Sequence, residues 1–124
     1  MITNLVWVAL GGALGALGRY GVALASIGIW GKSFPFGTLI VNIVGSFLLA
    51  LLFIGQQQGS VNEAGWLFFG VGVLGAFTTF STFSLEVVLL LQSGEFTKAL
   101  LFASLNFFVC LAAVLLALWF KTYF

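Results

Sequence analysis

The sequence has no histidine, a single cysteine, and only four basic and three acidic side chains in 124 residues. Without histidine, a metal-ligand cluster, or a nucleophile beside a base, nothing supports an enzyme. The lone Cys110 cannot close an internal disulfide, and its apolar surroundings favour an inert thiol. A net charge of +1 with no basic patch gives no sign of nucleic-acid binding. What fills the chain instead is hydrophobic residue, 62% of the total, at a mean hydropathy of +1.25. A soluble domain would carry roughly 25% charged residues.

A membrane helix needs about 20 apolar residues, so the chain has room for four spans and little else. The pattern predicts an all-α membrane protein with spans at about 4–27, 36–56, 65–92 and 98–120, forming one four-helix transmembrane unit over 1–124. Lys32, Glu63, Glu95, Lys98 and Lys121 fall at or beyond the span edges, whereas Arg19 and Glu86 lie inside. The first span lacks a basic leader and is too long and glycine-rich for the short apolar core of a cleavable signal. Trp7, Trp30, Trp66 and Trp119 sit near span ends, as interfacial tryptophans do.

Four spans bring both termini to one side with Lys121, and leave Lys32 and Lys98 on the other. Basic residues in short loops set orientation. Here the imbalance is slight, so insertion in both directions and head-to-tail pairing are expected, the alternative being one orientation set by the small bias. Four helices give too little wall to enclose a polar path, and a closed two-fold homodimer is the commonest solution.

The chemistry concentrates in the third span. Residues 77–84, Phe-Thr-Thr-Phe-Ser-Thr-Phe-Ser, place five hydroxyls and three phenyl rings in eight positions, just after Gly70, Gly72 and Gly75. Hydroxyls at that density belong in a membrane only where they face protein, water or a solute. Gly72, Gly75 and the β-branched Thr78-Thr79 pair weaken the helix there, predicting a break of the kind with which transporters build ion sites. Phe80 and Phe83 share a face if the helix continues, and their electropositive ring edges suit an anion; ordinary packing is the plainer role.

Other spans add isolated polar groups. Gly11 and Gly15 form a small face in the first span that lets another helix approach closely. Arg19 is either an anchor that caps nearby carbonyls or a fixed positive charge in a wet vestibule. Asn42 either bonds to a neighbouring helix or donates to an anion. Glu86 is open to three roles: proton carrier, buried acceptor or vestibule residue. In the fourth span, Asn106 lies in four-residue register with Phe102 and Cys110, so that face is only partly polar.

Three segments together resemble the CrcB/Fluc family of fluoride channels: Gly-Gly-x-x-Gly-Ala-x-x-Arg-Tyr at 11–20, Gly-Thr-Leu-x-Val-Asn-x-x-Gly-Ser-Phe at 37–47, and Gly-x-Phe-Thr-Thr-Phe-Ser-Thr-Phe-Ser-x-Glu at 75–86. The resemblance implies a head-to-tail dimer of dual topology in the bacterial inner membrane, with two antiparallel pores that export fluoride passively. Phe80 and Phe83 match its pore rings and Asn42 its pore asparagine, with Ser81, Thr82 and Asn106 in the polar lining. Gly75 and Thr78 match positions whose backbone carbonyls hold a structural Na⁺ at the dimer interface. Arg19 matches the motif arginine. Phe102 and Cys110 depart from the hydroxyl track expected along the fourth span.

Two other classes compete. A proton-coupled exporter of organic cations also uses four short spans, and would need Glu86 as its carboxylate. A scaffold subunit of a larger complex would explain the glycine faces but not the hydroxyl-aromatic cluster.

Overall fold

The structure, a computed structural model describing residues 1–123, contains four helical spans long and apolar enough to cross a membrane. They are Ile2–Trp30, Phe36–Gln57, Glu63–Gln92 and Phe96–Thr122. Each connecting turn carries one glycine in the left-handed region, Gly31, Gly59 and Gly94, with φ of 77°, 77° and 78°. A side chain at any of the three would strain the turn. Asn62 starts the third span by accepting the Gly65 amide at 2.9 Å, which satisfies one orphan donor of the first turn. Beside it, Asn4 Nδ2 donates to Glu63 Oε1 at 3.3 Å, so the N-terminus and the loop after the second span share one side.

The first span packs chiefly against the front half of the third, and the second against the back half of the fourth. The first contact is made backbone to backbone. A Cβ on Gly11 would overlap the Phe68 carbonyl oxygen, and one on Gly15 the Val73 carbonyl oxygen. Small residues of this kind hold membrane helices together because lipid supplies no hydrophobic drive between them. Gly15→Ala should therefore force the helices apart, costing about 1–3 kcal/mol as overpacking does. A lower midpoint of thermal unfolding in detergent is the expected result; an unchanged midpoint would show that the helices separate freely.

The third span is not a uniform helix. Residues Trp66–Leu74 form wide π turns and Gly75–Phe77 return to α geometry. Thr78 and Thr79 are then extended, with φ,ψ of −81°,157° and −152°,117°, before helix resumes over Phe80–Gln92. The glycines at 70 and 72 stay helical and buried, because their missing side chains serve close packing against Gly11 and Trp66. The extended residues are the threonines, for a local reason. Thr79 Oγ1 accepts the Thr82 amide at 3.1 Å and so caps the helix that follows. The fourth span also widens to π turns, over Leu105–Val109, around Asn106.

The core is thin: Phe102 and Val41 are its only large side chains almost fully buried among the described residues. Many leucines, isoleucines and phenylalanines point outward instead, as lipid or a partner copy requires of a membrane helix.

Candidate functional site

The extended Thr78-Thr79 pair leaves main-chain groups without helical partners in the middle of a span. Inside lipid each must find one. Asn42 of the second span supplies most of what Thr79 needs. Its Oδ1 accepts the Thr79 amide at 2.8 Å, and its Nδ2 donates to the Thr79 carbonyl at 3.1 Å. Nδ2 donates again to Asn106 Oδ1 of the fourth span at 2.9 Å. Asn106 Nδ2 in turn donates to the Phe102 carbonyl at 3.0 Å. One chain of amides therefore ties the second, third and fourth spans together at the break.

Arg19 completes this arrangement from the first span, donating from Nε to the Ala76 carbonyl at 3.0 Å. It thus caps a carbonyl at the end of the front half-helix, where the dipole favours a cation. It also lines a cavity of about 580 Å³ with Lys32, Thr38, Thr79, Thr82 and Glu86. Of the two roles read for this residue in the sequence, the hydrogen bond to Ala76 is the carbonyl-capping one. Glu86 keeps one carboxylate oxygen, Oε2, buried without a hydrogen-bond partner among the described residues.

A second cavity, of about 320 Å³, is lined by Asn42, Thr79, Phe80, Phe83, Asn106 and Cys110. Thr79 borders both cavities, so the extended residue is the wall between them. Phe80 and Phe83 lie 5.5 Å apart between centroids with their planes at 50°. Phe83 leans on the buried Phe102 at 5.5 Å, and Phe102 meets Phe34 edge to face at 5.7 Å and 88°. Phe80 itself is 78% exposed, so the second cavity is open on that side.

The five hydroxyls divide into spent and available ones. Thr78 Oγ1 donates to the Leu74 carbonyl at 3.0 Å and Ser84 Oγ to the Phe80 carbonyl at 2.9 Å. Thr79 Oγ1 and Ser81 Oγ are 3.3 Å apart. Thr82 has no side-chain hydrogen bond among the described residues and faces the larger cavity. Ser81 is exposed. In chemical terms the site offers hydroxyl and amide donors, ring edges and one guanidinium, with Glu86 as its carboxylate. That donor set suits an anion.

Sequence reasoning singled out Asn42, Phe80, Phe83, Ser81, Thr82 and Asn106 but missed how they join. It gave no reason to pair Asn42 with the Thr79 backbone, nor to send Arg19 to Ala76. Phe34 and Phe102 as a ring buttress were also missed; the only available signal was the abundance of phenylalanine near both sites.

A profile of the family described as "CrcB-like protein, Camphor Resistance (CrcB)" matches residues 6–118. The chain is 49% identical over 118 residues to a protein of Idiomarina loihiensis called "Fluoride-specific ion channel FluC", covering 95% of this chain and 92% of that one. It is 48% identical over 115 residues to a Shewanella halifaxensis protein of the same name, covering 93% of each. A third so named, from Shewanella amazonensis, is 45% identical over 115 residues, again 93% of each.

Proposed function

Because this chain belongs to the CrcB-like protein family, we propose that it is a fluoride-selective passive ion channel that lets fluoride leave the cytoplasm. It is a multi-pass membrane protein and not an enzyme; placement in the bacterial inner membrane is part of the proposal. The observation that carries the reading is the pair of cavities on either side of Thr79, one with a guanidinium and the other with amides and phenyl edges.

Fluoride holds its water tightly, so a pore must replace each lost water with a donor. Arg19 and Lys32 raise the local anion concentration in the larger cavity. The Thr82 hydroxyl takes over as the ion sheds water there, while Ser81 is exposed beside Thr79. Beyond Thr79 the second cavity, bordered by Asn106 and by the electropositive edges of Phe80 and Phe83, receives it. No lysine stands in the second cavity, which fits conduction, since a binding site must also release. Chloride is larger and a weaker acceptor, and a narrow passage of such donors disfavours it.

The proposed assembly is an antiparallel homodimer inserted in both directions. The outward Phe80 ring and the open side of its cavity support it, because a second copy would close that side. The even spread of charge also does: Lys32 and the Lys98–Glu95 pair, 3.6 Å apart, lie on one side, Glu63 and Lys121 on the other. A structural Na⁺ at that interface fits the residues present. The Thr79 amide bonds to Asn42 instead of the Gly75 carbonyl, and the Thr82 amide to Thr79 Oγ1 instead of the Thr78 carbonyl. Hard carbonyl oxygens freed from a helix are ligands of the kind that Na⁺ takes at broken membrane helices. Gly75 and Thr78 would hold it, binding the two copies together.

The coupled cation exporter gains nothing from the relatives, whose name is that of a fluoride channel. The decisive experiment is release of fluoride from liposomes holding the purified protein, with a potassium ionophore as electrical shunt. Vesicles should empty of fluoride with no proton gradient and keep their chloride. Retained fluoride would end the reading, and efflux that needs Glu86 and a proton gradient would restore the exporter.

A further inference from the structure

Proline occurs once in this chain, at position 35, in the short connection between the first two membrane spans. Its ring fixes φ, and the residue before it is pushed toward extended geometry. Pro35 adopts φ,ψ of −80°,66°, and the Phe36 amide donates to the Phe34 carbonyl at 2.9 Å. This is an inverse γ-turn, so the two residues flanking the proline are held close together. Their rings meet at 4.8 Å and 53°, and Phe36 also meets Trp30, at the end of the first span, at 5.3 Å. The connection thus fixes Phe34 both by its main chain and by ring packing.

What Phe34 touches next lies far along the chain. Its ring meets Phe102 edge to face, at 5.7 Å and 88°, and Phe102 meets Phe83 at 5.5 Å and 47°. Phe102 is fully buried, and a closely packed interior has little slack to absorb a neighbour's shift. A displacement of Phe34 is therefore passed on to Phe83. The two residues also belong to different cavities. Phe34 borders the larger one and not the second, whereas Phe83 borders the second and not the larger. Plain cover for Phe102 would need only an apolar side chain. The locked turn and the edge-to-face contact specify a direction as well.

Resting on the fluoride reading above, we propose that Phe34 is a positioning residue for the pore. Through Phe102 it holds the Phe83 ring in its place at the second cavity. The connection at the rim of the larger cavity thereby sets the ring geometry of the other. Phe34 itself needs no contact with the ion.

The test is a double-mutant cycle on fluoride efflux from liposomes, with wild type, Phe34→Leu, Phe83→Ile and the double variant. A coupling of this kind is established only by such a cycle. Phe34→Leu keeps an apolar cover but removes the ring edge. It should slow efflux about threefold to tenfold, as loss of one edge-to-face contact implies, and should slow Phe83→Ile no further. A wild-type rate for Phe34→Leu overturns the proposal. So does an equal slowing in both backgrounds, which would show that Phe34 acts on the larger cavity alone. A second readout needs no transport. With 4-fluorophenylalanine placed at position 83, the ¹⁹F resonance should shift in the Phe34→Leu protein, and an unmoved line overturns the coupling. If Phe34→Leu does not fold, the flexible side chain of Phe34→Met fills the same space and enters the same cycle, decided by the same results. A wild type that releases no fluoride overturns the fluoride reading instead, and the ¹⁹F line then still decides the coupling.

Discussion

Replacing both Phe80 and Phe83 by isoleucine should reduce fluoride release from liposomes to the rate of protein-free vesicles. The rings border the cavity into which the amides point, and an isoleucine of similar bulk has no electropositive edge to offer. Each ring lost should cost on the order of tenfold, in keeping with the about 0.5–1.5 kcal/mol that aromatic edge contacts contribute. The two should differ in a second respect. Phe83 leans on Phe102, so Phe83→Ile also loosens the buttress, whereas Phe80 is largely exposed and its replacement should leave protomer stability unchanged. Fluoride-electrode traces for the single and double variants, alongside thermal unfolding in detergent, measure both. Wild-type efflux from the double variant would remove the rings from the pore.

Arg19→Met should have the next largest effect, and should act on two properties at once. The Ala76 carbonyl loses its donor at 3.0 Å, and an uncompensated buried carbonyl costs about 1–3 kcal/mol. The front half-helix of the third span also loses its terminal cation. The larger cavity meanwhile keeps Glu86 and Lys32 but gives up its guanidinium, so anions are concentrated there less. Efflux should fall by more than tenfold, and most at low fluoride concentration, where local enrichment matters. Arg19→Lys separates the two parts. A lysine keeps the charge without the directed Nε donor, so it should recover flux better than it recovers stability. Equal flux from Arg19→Met and wild type would leave Arg19 only its capping role.

The polar groups of this site are few, and most are committed by geometry. Thr78 and Ser84 hydroxyls return to their own helix, Asn42 serves the backbone of Thr79, and Arg19 serves Ala76. This economy follows from the solvent. In lipid a main-chain break cannot be left to water, so the residues that satisfy it are drawn from the first and second spans, with Asn106 of the fourth behind Asn42. Stabilising the break and bordering the two cavities are therefore done partly by the same side chains.

The sequence by itself determined the four spans, since runs of apolar residues that long have no other stable place. It also determined the small face at Gly11 and Gly15 and the residues at which polar chemistry enters the membrane. Those features depend on composition and on spacing within one helix. Tertiary structure alone decided which groups remain free to act. The sequence leaves Asn42 open between bonding a neighbouring helix and donating to an anion, and contacts with residues 37 and 64 positions away consume both of its hydrogens. Gly72 looks like a weak point and instead stays helical, because the first span fills the space its side chain lacks. Hydrogen-bond commitment belongs to pairs of residues distant along the chain, and no pattern within one segment carries it.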